Sequence, residues 1–150
     1  MDLILWRHAE AEESTPDLAR KLTVRGKKDA ARMAEWLRER LPRDVTVLAS
    51  PAERTQQTAA ALAMPFKTVQ GLAPGASVSE ILNAAGWPEG SGAVIVVGHQ
   101  PGLGQAAAFL LSGAEEDCTI KKGAVWWFTG RVRNDDQQIV VTAVMAPDLL

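Results

Sequence analysis

The chain has one cysteine, Cys118, and only two histidines, His8 and His99, in 150 residues. A single cysteine forms no internal disulfide, which excludes a disulfide-stapled scaffold and makes a reducing compartment the expectation. No charge of one sign dominates either. Lys+Arg number 16 against 18 Asp+Glu, a net charge of -2, so the balance carries no nucleic-acid or membrane footprint. The apolar runs fall far short of a membrane span. Leu3 to Trp6 is also too short for the apolar region of a secretory signal, and it is flanked by Asp2 on one side and Arg7-His8 on the other. A cytoplasmic protein is expected, and a monomer, because no interface stripe stands out. Several catalytic signatures are missing as well. There is no G-x-x-x-x-G-K-S/T loop and no G-x-S-x-G elbow, and Gly98, Gly102 and Gly104 lack dinucleotide spacing. No H-x-x-x-H, C-x-x-C or clustered carboxylate spacing supplies a metal site, so neither metal nor cofactor is expected.

What is present is a 47% hydrophobic chain of a length suited to one ordinary domain, residues 1–150. It shows no repeat, low-complexity tract or linker. Short apolar runs at 3–6, 45–49 and 93–97 read as buried strands, with Pro65 to Val69 a weaker one. Between them, Ala30, Met33, Ala34, Leu37 and Leu41 recur at helical spacing across Val24 to Leu41, which Pro42 closes. Ser50 with Glu53, and Ser77 with Glu80, have capping-box spacing and predict helices to about Ala63 and Ala85. Pro101 suits the first position of a helix over 101–112. Two late runs, Ala124 to Gly130 and Ile139 to Met145, flank a turn-like Arg133-Asn134-Asp135-Asp136 and suggest a hairpin. Trp126-Trp127-Phe128 reads as core plus one half-exposed ring, since adjacent strand residues face opposite ways. The alternation predicts a single-domain α/β fold with a mostly parallel central sheet and helices on both faces.

The chemistry collects at strand ends. Strand 3–6 runs into Arg7-His8, strand 45–49 into Ser50-Pro51-Ala52-Glu53-Arg54, and strand 93–97 into Gly98-His99-Gln100-Pro101-Gly102. Open α/β sheets bind ligands at the carboxyl ends of their strands. A lone histidine is usually a satisfied core or surface residue, and a lone Arg54 would pair with Glu53 or a helix-face neighbour. Both histidines together with two arginines at matching strand ends favour a site. Neutral imidazole attacks phosphorus without a separate base, and nearby arginines favour the neutral ring. Guanidinium forks suit phosphate oxygens, and phosphoryl transfer asks mainly for such positioning and charge.

Four blocks then resemble one family: Arg7-His8-Ala9-Glu10-Ala11, Leu22-Thr23-x-x-Gly26, Ser50-Pro51-x-x-Arg54-x-x-Gln57-Thr58-Ala59 and Val97-Gly98-His99-x-Pro101-Gly102. They are similar to the histidine phosphatase superfamily, and most of all to its small SixA-type phosphohistidine phosphatases. The resemblance implies a phosphatase in which His8 is phosphorylated during turnover while Arg7, Arg54 and His99 hold the phosphoryl group. It also implies substrate contact by Arg20 and a phosphohistidine-containing protein as partner, a phosphotransfer domain or phosphocarrier. Superfamily members acting on phosphoesters use a carboxylic acid to protonate the leaving alkoxide, but the segment Val69 to Gly75 where it is expected contains none. Phosphohistidine departs as neutral imidazole and needs no such acid. Two alternatives stand beside this reading: a small-molecule phosphoester phosphatase using Glu80, Glu10 or Glu12 as acid, and a low-turnover phosphate-binding module.

Overall fold

The computed structural model describes residues 1–150. A six-stranded sheet is built from β1 (Asp2–Arg7), β2 (Val45–Ala49), β3 (Lys67–Thr68), β4 (Ala93–Gly98), β5 (Val125–Arg133) and β6 (Asp136–Met145), in the order β3-β2-β4-β1-β5-β6. The first four run parallel, while β5 and β6 are antiparallel additions beside β1. The mostly parallel sheet is the one expected, and the late runs do form a hairpin. Its turn residues Asn134 and Asp135 have φ of 52° and 63°, the left-handed pair that suits a tight two-residue hairpin.

Helices α1 (Val24–Arg38) and α2 (Glu53–Ala60) cover one face; α3 (Val78–Ala85) and α4 (Gly102–Ser112) cover the other. Both faces are therefore dry at the centre of the sheet, along β1, β4 and the end of β2, which explains the unbroken apolar strands there, whereas β3 and β6 are largely exposed. Along β1, Leu3 and Leu5 pack toward α3 and α4, whereas Ile4 and Trp6 pack toward Met33, Ala34 and Leu37 of α1. The aromatic run divides in the same way: Phe128 is buried on the α3/α4 side with a half-buried Trp126 beside it, and Trp127 is buried on the α1 side.

Boundaries move inward from the sequence pattern. Helix α1 stops at Arg38 rather than Leu41, α2 at Ala60 rather than Ala63, and β3 keeps two residues of its expected five. Helix α4 starts at Gly102, with Pro101 as its cap. The Ser77–Glu80 capping box is present in both directions. The Ser50–Glu53 box is not: Ala52 caps α2, because Ser50 is drawn into the site instead.

The Leu22-Thr23-x-x-Gly26 block is architectural. Thr23 caps α1 by accepting from the Gly26 amide, and its hydroxyl donates to the Glu10 carboxylate at 2.9 Å. Glu10's carbonyl accepts from the Thr23 amide at 3.0 Å and lies directly against Gly26, where a Cβ would collide with it. The start of α1 is thereby locked to the chain two residues after His8. Gly26→Ala is expected to cost about 1–3 kcal/mol of stability through forced backbone displacement, whereas Gly71→Ala, with nothing within 4 Å of its Cβ, should be close to neutral. Urea unfolding of the two variants checks this; equal, small losses would contradict the Glu10–Gly26 lock.

Candidate active site

The order β2-β4-β1 makes neighbours of the three strands whose carboxyl ends carry the predicted chemistry. In register, Arg7 lies opposite Gly98, and Ala49 opposite Val97, so His8, Ser50 and His99 leave the sheet side by side. Their exits diverge, the loops after β1 and β2 leading to α1 and α2 and the loop after β4 leading to α4 on the other face. A crevice opens where such connections part.

His8 and His99 face one another with ring centroids 5.4 Å apart, and both are buried. The His8 amide is tied to the Gly98 carbonyl, while the Arg7 and His8 carbonyls both accept from the Gly123 amide. His8 Nδ1 lies 2.7 Å from the Ala9 carbonyl. A carbonyl only accepts, so the proton resides on Nδ1 and Nε2 keeps a free lone pair. His99 meets a hydroxyl instead of a carbonyl. Ser50 Oγ accepts from the Ala52 amide at 3.2 Å and lies 2.7 Å from His99 Nε2; when the Ser50 hydroxyl donates to Nε2, the His99 proton sits on Nδ1.

Arg54, in the first turn of α2, is almost fully buried. Its Nη1 donates to the Asp17 carbonyl at 2.8 Å and its Nη2 to Asp17 Oδ2 at 3.2 Å. Glu53, its expected partner in the bland reading, is not involved. Arg7 Nη1 donates to the Ile120 carbonyl at 2.7 Å. Four buried side-chain nitrogens remain without any partner; one, Trp127 Nε1, lies in the core, and the other three are Arg7 Nε, Arg54 Nε and His99 Nδ1. Buried polar groups are normally paired, and these three belong to three of the four residues that the sequence pattern singles out. The two arginine Nε–H groups are donors awaiting an acceptor, and His99 Nδ1 joins them when Ser50 donates to Nε2.

The neighbouring arginines and burial set the protonation of both rings. His8 is pushed down to about 4, chiefly by burial and further by the charges of Arg54, Arg7 and Arg20, against the opposing effect of its bond to Ala9. His99 is pushed down to about 3 by burial, then by Arg54 and His8. Burial thus contributes more than the arginines that the sequence suggested. Burial also lowers Arg7 from its ordinary value.

Arg20 stands at the rim. Its Nε donates to the Glu12 carbonyl at 2.7 Å, and its fork meets Asp17 Oδ1 at 3.3 Å and Glu13 Oε1 at 3.4 Å. It is near enough for its charge to act on His8. Sequence reasoning missed two residues. Ser50 was visible in its motif but was read as a helix cap. Asp17 carried no signal, being one of four acids in the polar stretch from Glu10 to Asp17. Two further residues of the Arg54 block tie loops to the site: Gln57 Oε1 accepts from the Leu22 amide at 2.7 Å, and Thr58 Oγ1 from the Ala9 amide at 3.1 Å.

The model of the histidine phosphatase superfamily (branch 1) matches residues 3–74, which carry His8, Arg7 and Arg54. The chain belongs to this superfamily. Within it the chain is of the SixA type. It is 32% identical over 127 residues to the phosphohistidine phosphatase SixA homolog of Haemophilus influenzae, covering 73% of this chain and 77% of that protein. A SixA structure from Nakamurella multipartitia superposes with a TM-score of 0.77 at 27% identity, over 97% of this chain and 95% of that one. The fold is also that of the protein histidine phosphatase SixA complexed with tungstate, at a TM-score of 0.81, 24% identity and 99% coverage of both chains.

The depressed histidines fix the sign of a pH effect. An unfolded histidine binds its proton near pH 6.5, whereas the folded rings wait until about 4 and 3. Between those values the unfolded state holds more protons. Stability is therefore fully present above pH 6.5 and falls on acidification, by up to about 1.4 kcal/mol per pH unit for each ring. Histidine-resolved NMR titration should show both midpoints well below 5; midpoints near 6.5 would contradict the buried, neutral pair.

Proposed function

We propose that this protein hydrolyses phosphohistidine on a protein partner, through a covalent phosphohistidine formed on His8. The carrying observation is the bare Nε2 of His8 beside the buried, unpartnered nitrogens of Arg7, Arg54 and His99. A phosphoryl group seated there has oxygens to accept from all three, and its phosphorus faces the lone pair. The structurally similar protein histidine phosphatase SixA has been solved in complex with tungstate, an oxyanion.

The reaction divides into two transfers. His8 Nε2 attacks phosphorus, the new N–P bond forms as the substrate's N–P bond breaks, and the substrate imidazole leaves as the neutral ring because its far nitrogen already carries a proton. Water then attacks the phosphorus, the bond to His8 breaks, and orthophosphate leaves with His8 neutral again. Arg7 and Arg54 spread the charge of the equatorial oxygens in both steps, in surroundings dry enough to make each contact count. Both imidazoles stay neutral at physiological pH, so the nucleophile is always ready.

No carboxyl group is placed to protonate a leaving alkoxide. Val69 to Gly75 carries no acid, Glu80 accepts from the Ser77 amide as its helix cap, and Glu10 accepts from Thr23. Asp17 does lie at the site, but it is a poor proton donor. Desolvation alone would raise it, yet its bonds to Arg20 and Arg54 outweigh this and hold it below the usual carboxylate range, ionised. A pocket whose only carboxyl group is held ionised suits a phosphoramidate and handicaps a phosphoester, whose alkoxide needs a proton worth on the order of 10²–10⁴ in rate. The partner is accordingly a phosphotransfer domain or phosphocarrier bearing phosphohistidine, with Arg20 at the rim to meet it.

Hydrolysis of a phosphohistidine protein beside a panel of phosphoesters is the direct test. Turnover should be strong on the first and poor on the second, and should survive chelation, since the positive charges of the site are arginines. His8→Ala should abolish it, and Glu80→Gln should leave it nearly intact. Label trapped on the wild-type protein should be acid-labile and base-stable. Acid-stable label, or an active His8→Ala variant, would remove His8 as nucleophile.

A further inference from the structure

We propose that Asp17 is a positioning residue, gripping the outer edge of the Arg54 guanidinium so that its inner edge stays turned to the phosphoryl group. This rests on the phosphoryl-site reading above, though not on which partner brings the phosphoryl group.

A guanidinium offers five N–H groups in a planar fork. On Arg54, Asp17 takes one from Nη1 with its backbone carbonyl and one from Nη2 with its carboxylate. Both lie on the end of the fork, and both acceptors come from one residue, so the plane has little freedom to turn. The side edge, Nε with the second Nη2 hydrogen, is left over, and Nε is buried with no partner. That side edge is a bidentate site for two phosphate oxygens.

Asp17 is itself braced. Its second carboxylate oxygen accepts from Arg20 Nη1 at 3.3 Å, and Arg20 is pinned by its Nε to the Glu12 carbonyl at 2.7 Å. The bonds run from the backbone of Glu12 through Arg20 and Asp17 to Arg54. Arg20 therefore acts at least partly through Asp17, beyond any contact of its own with substrate. Two other roles for Asp17 make opposite predictions. As an internal anion occupying the arginines, it would hinder phosphate, and removing it would help. As a mere counter-charge, its loss would be the same whatever replaced it.

The test uses the full chain with phosphoramidate as phosphoryl donor, read as orthophosphate release. In that reaction the P–N bond breaks as the bond from phosphorus to His8 Nε2 forms, the nitrogen leaves as ammonia, and water then frees orthophosphate from His8. Asp17→Ala should lower kcat about tenfold, the worth of roughly one charge-assisted hydrogen bond, with a smaller change in KM. Asp17→Asn should recover most of this, because an acceptor oxygen still reaches Nη2. In an Arg54→Ala background, Asp17→Ala should cost nothing further. Asp17→Ser replaces the alanine variant if the latter does not fold, since its hydroxyl falls short of Arg54. Equal losses for Asn and Ala, faster turnover with tighter orthophosphate inhibition, or a loss that adds fully to that of Arg54→Ala would each overturn the proposal. Wild-type protein inert toward phosphoramidate would overturn the phosphoryl-site reading with it. Active wild type with unaltered Asp17 variants would overturn this proposal alone.

Discussion

Strand β4 is inserted between β1 and β2, two strands that precede it in the chain, and the site depends on that insertion. Were β1 and β2 direct neighbours, His99 would sit at one side of the pair formed by His8 and Arg54. With β4 in the middle, His99 sits between them, facing His8 and sharing Arg54's field. The insertion is held by burial. Val94 and Val96 are drawn to one apolar layer, Ile95 and Val97 to the other, and the strand has no solvated side. A one-residue slip would exchange those two sets and carry His99 out of place.

Around that scaffold the site keeps donors in excess and protons scarce. Arg7 and Arg54 each spend part of their fork on protein acceptors and keep Nε buried and free. The two histidines carry one proton each, placed on Nδ1 of His8 by the Ala9 carbonyl, while His99 Nε2 is held by the Ser50 hydroxyl. Asp17 is held ionised by Arg20 and Arg54, to both of which it is bonded. Everything presented to an incoming phosphoryl group is thus either a donor or the one free lone pair. A leaving group that brings its own proton completes the chemistry, and one that must be given a proton does not.

Much of this was legible in the chain. The apolar strands at 3–6, 45–49 and 93–97 are unambiguous because both faces of the sheet are covered, and the four residues at their ends follow directly. What the sequence obscured was long-range or locally misleading. Ser50 has the spacing of a helix cap, but a buried imidazole from a strand forty-nine residues on outcompetes the Glu53 partner for its hydroxyl. Asp17 lies in a polar loop whose path is set by Thr23, Gln57 and Thr58, tertiary ties that no periodicity reveals. The strand expected over Pro65 to Val69 shrinks to Lys67–Thr68, since an exposed edge pairs only where β2 reaches it. Strand order, finally, has no local signature at all.

The central claim is that the unpartnered nitrogens of Arg7, Arg54 and His99 form one oxyanion seat against His8. Nitrogen-15 NMR of the arginine Nε and histidine ring signals during an orthophosphate titration tests it most directly. The account predicts that Arg7 Nε–H, Arg54 Nε–H and His99 Nδ1–H shift together along a single binding curve and gain protection from solvent exchange. Orthophosphate binding that leaves these three signals in place, or no binding at all, would contradict it.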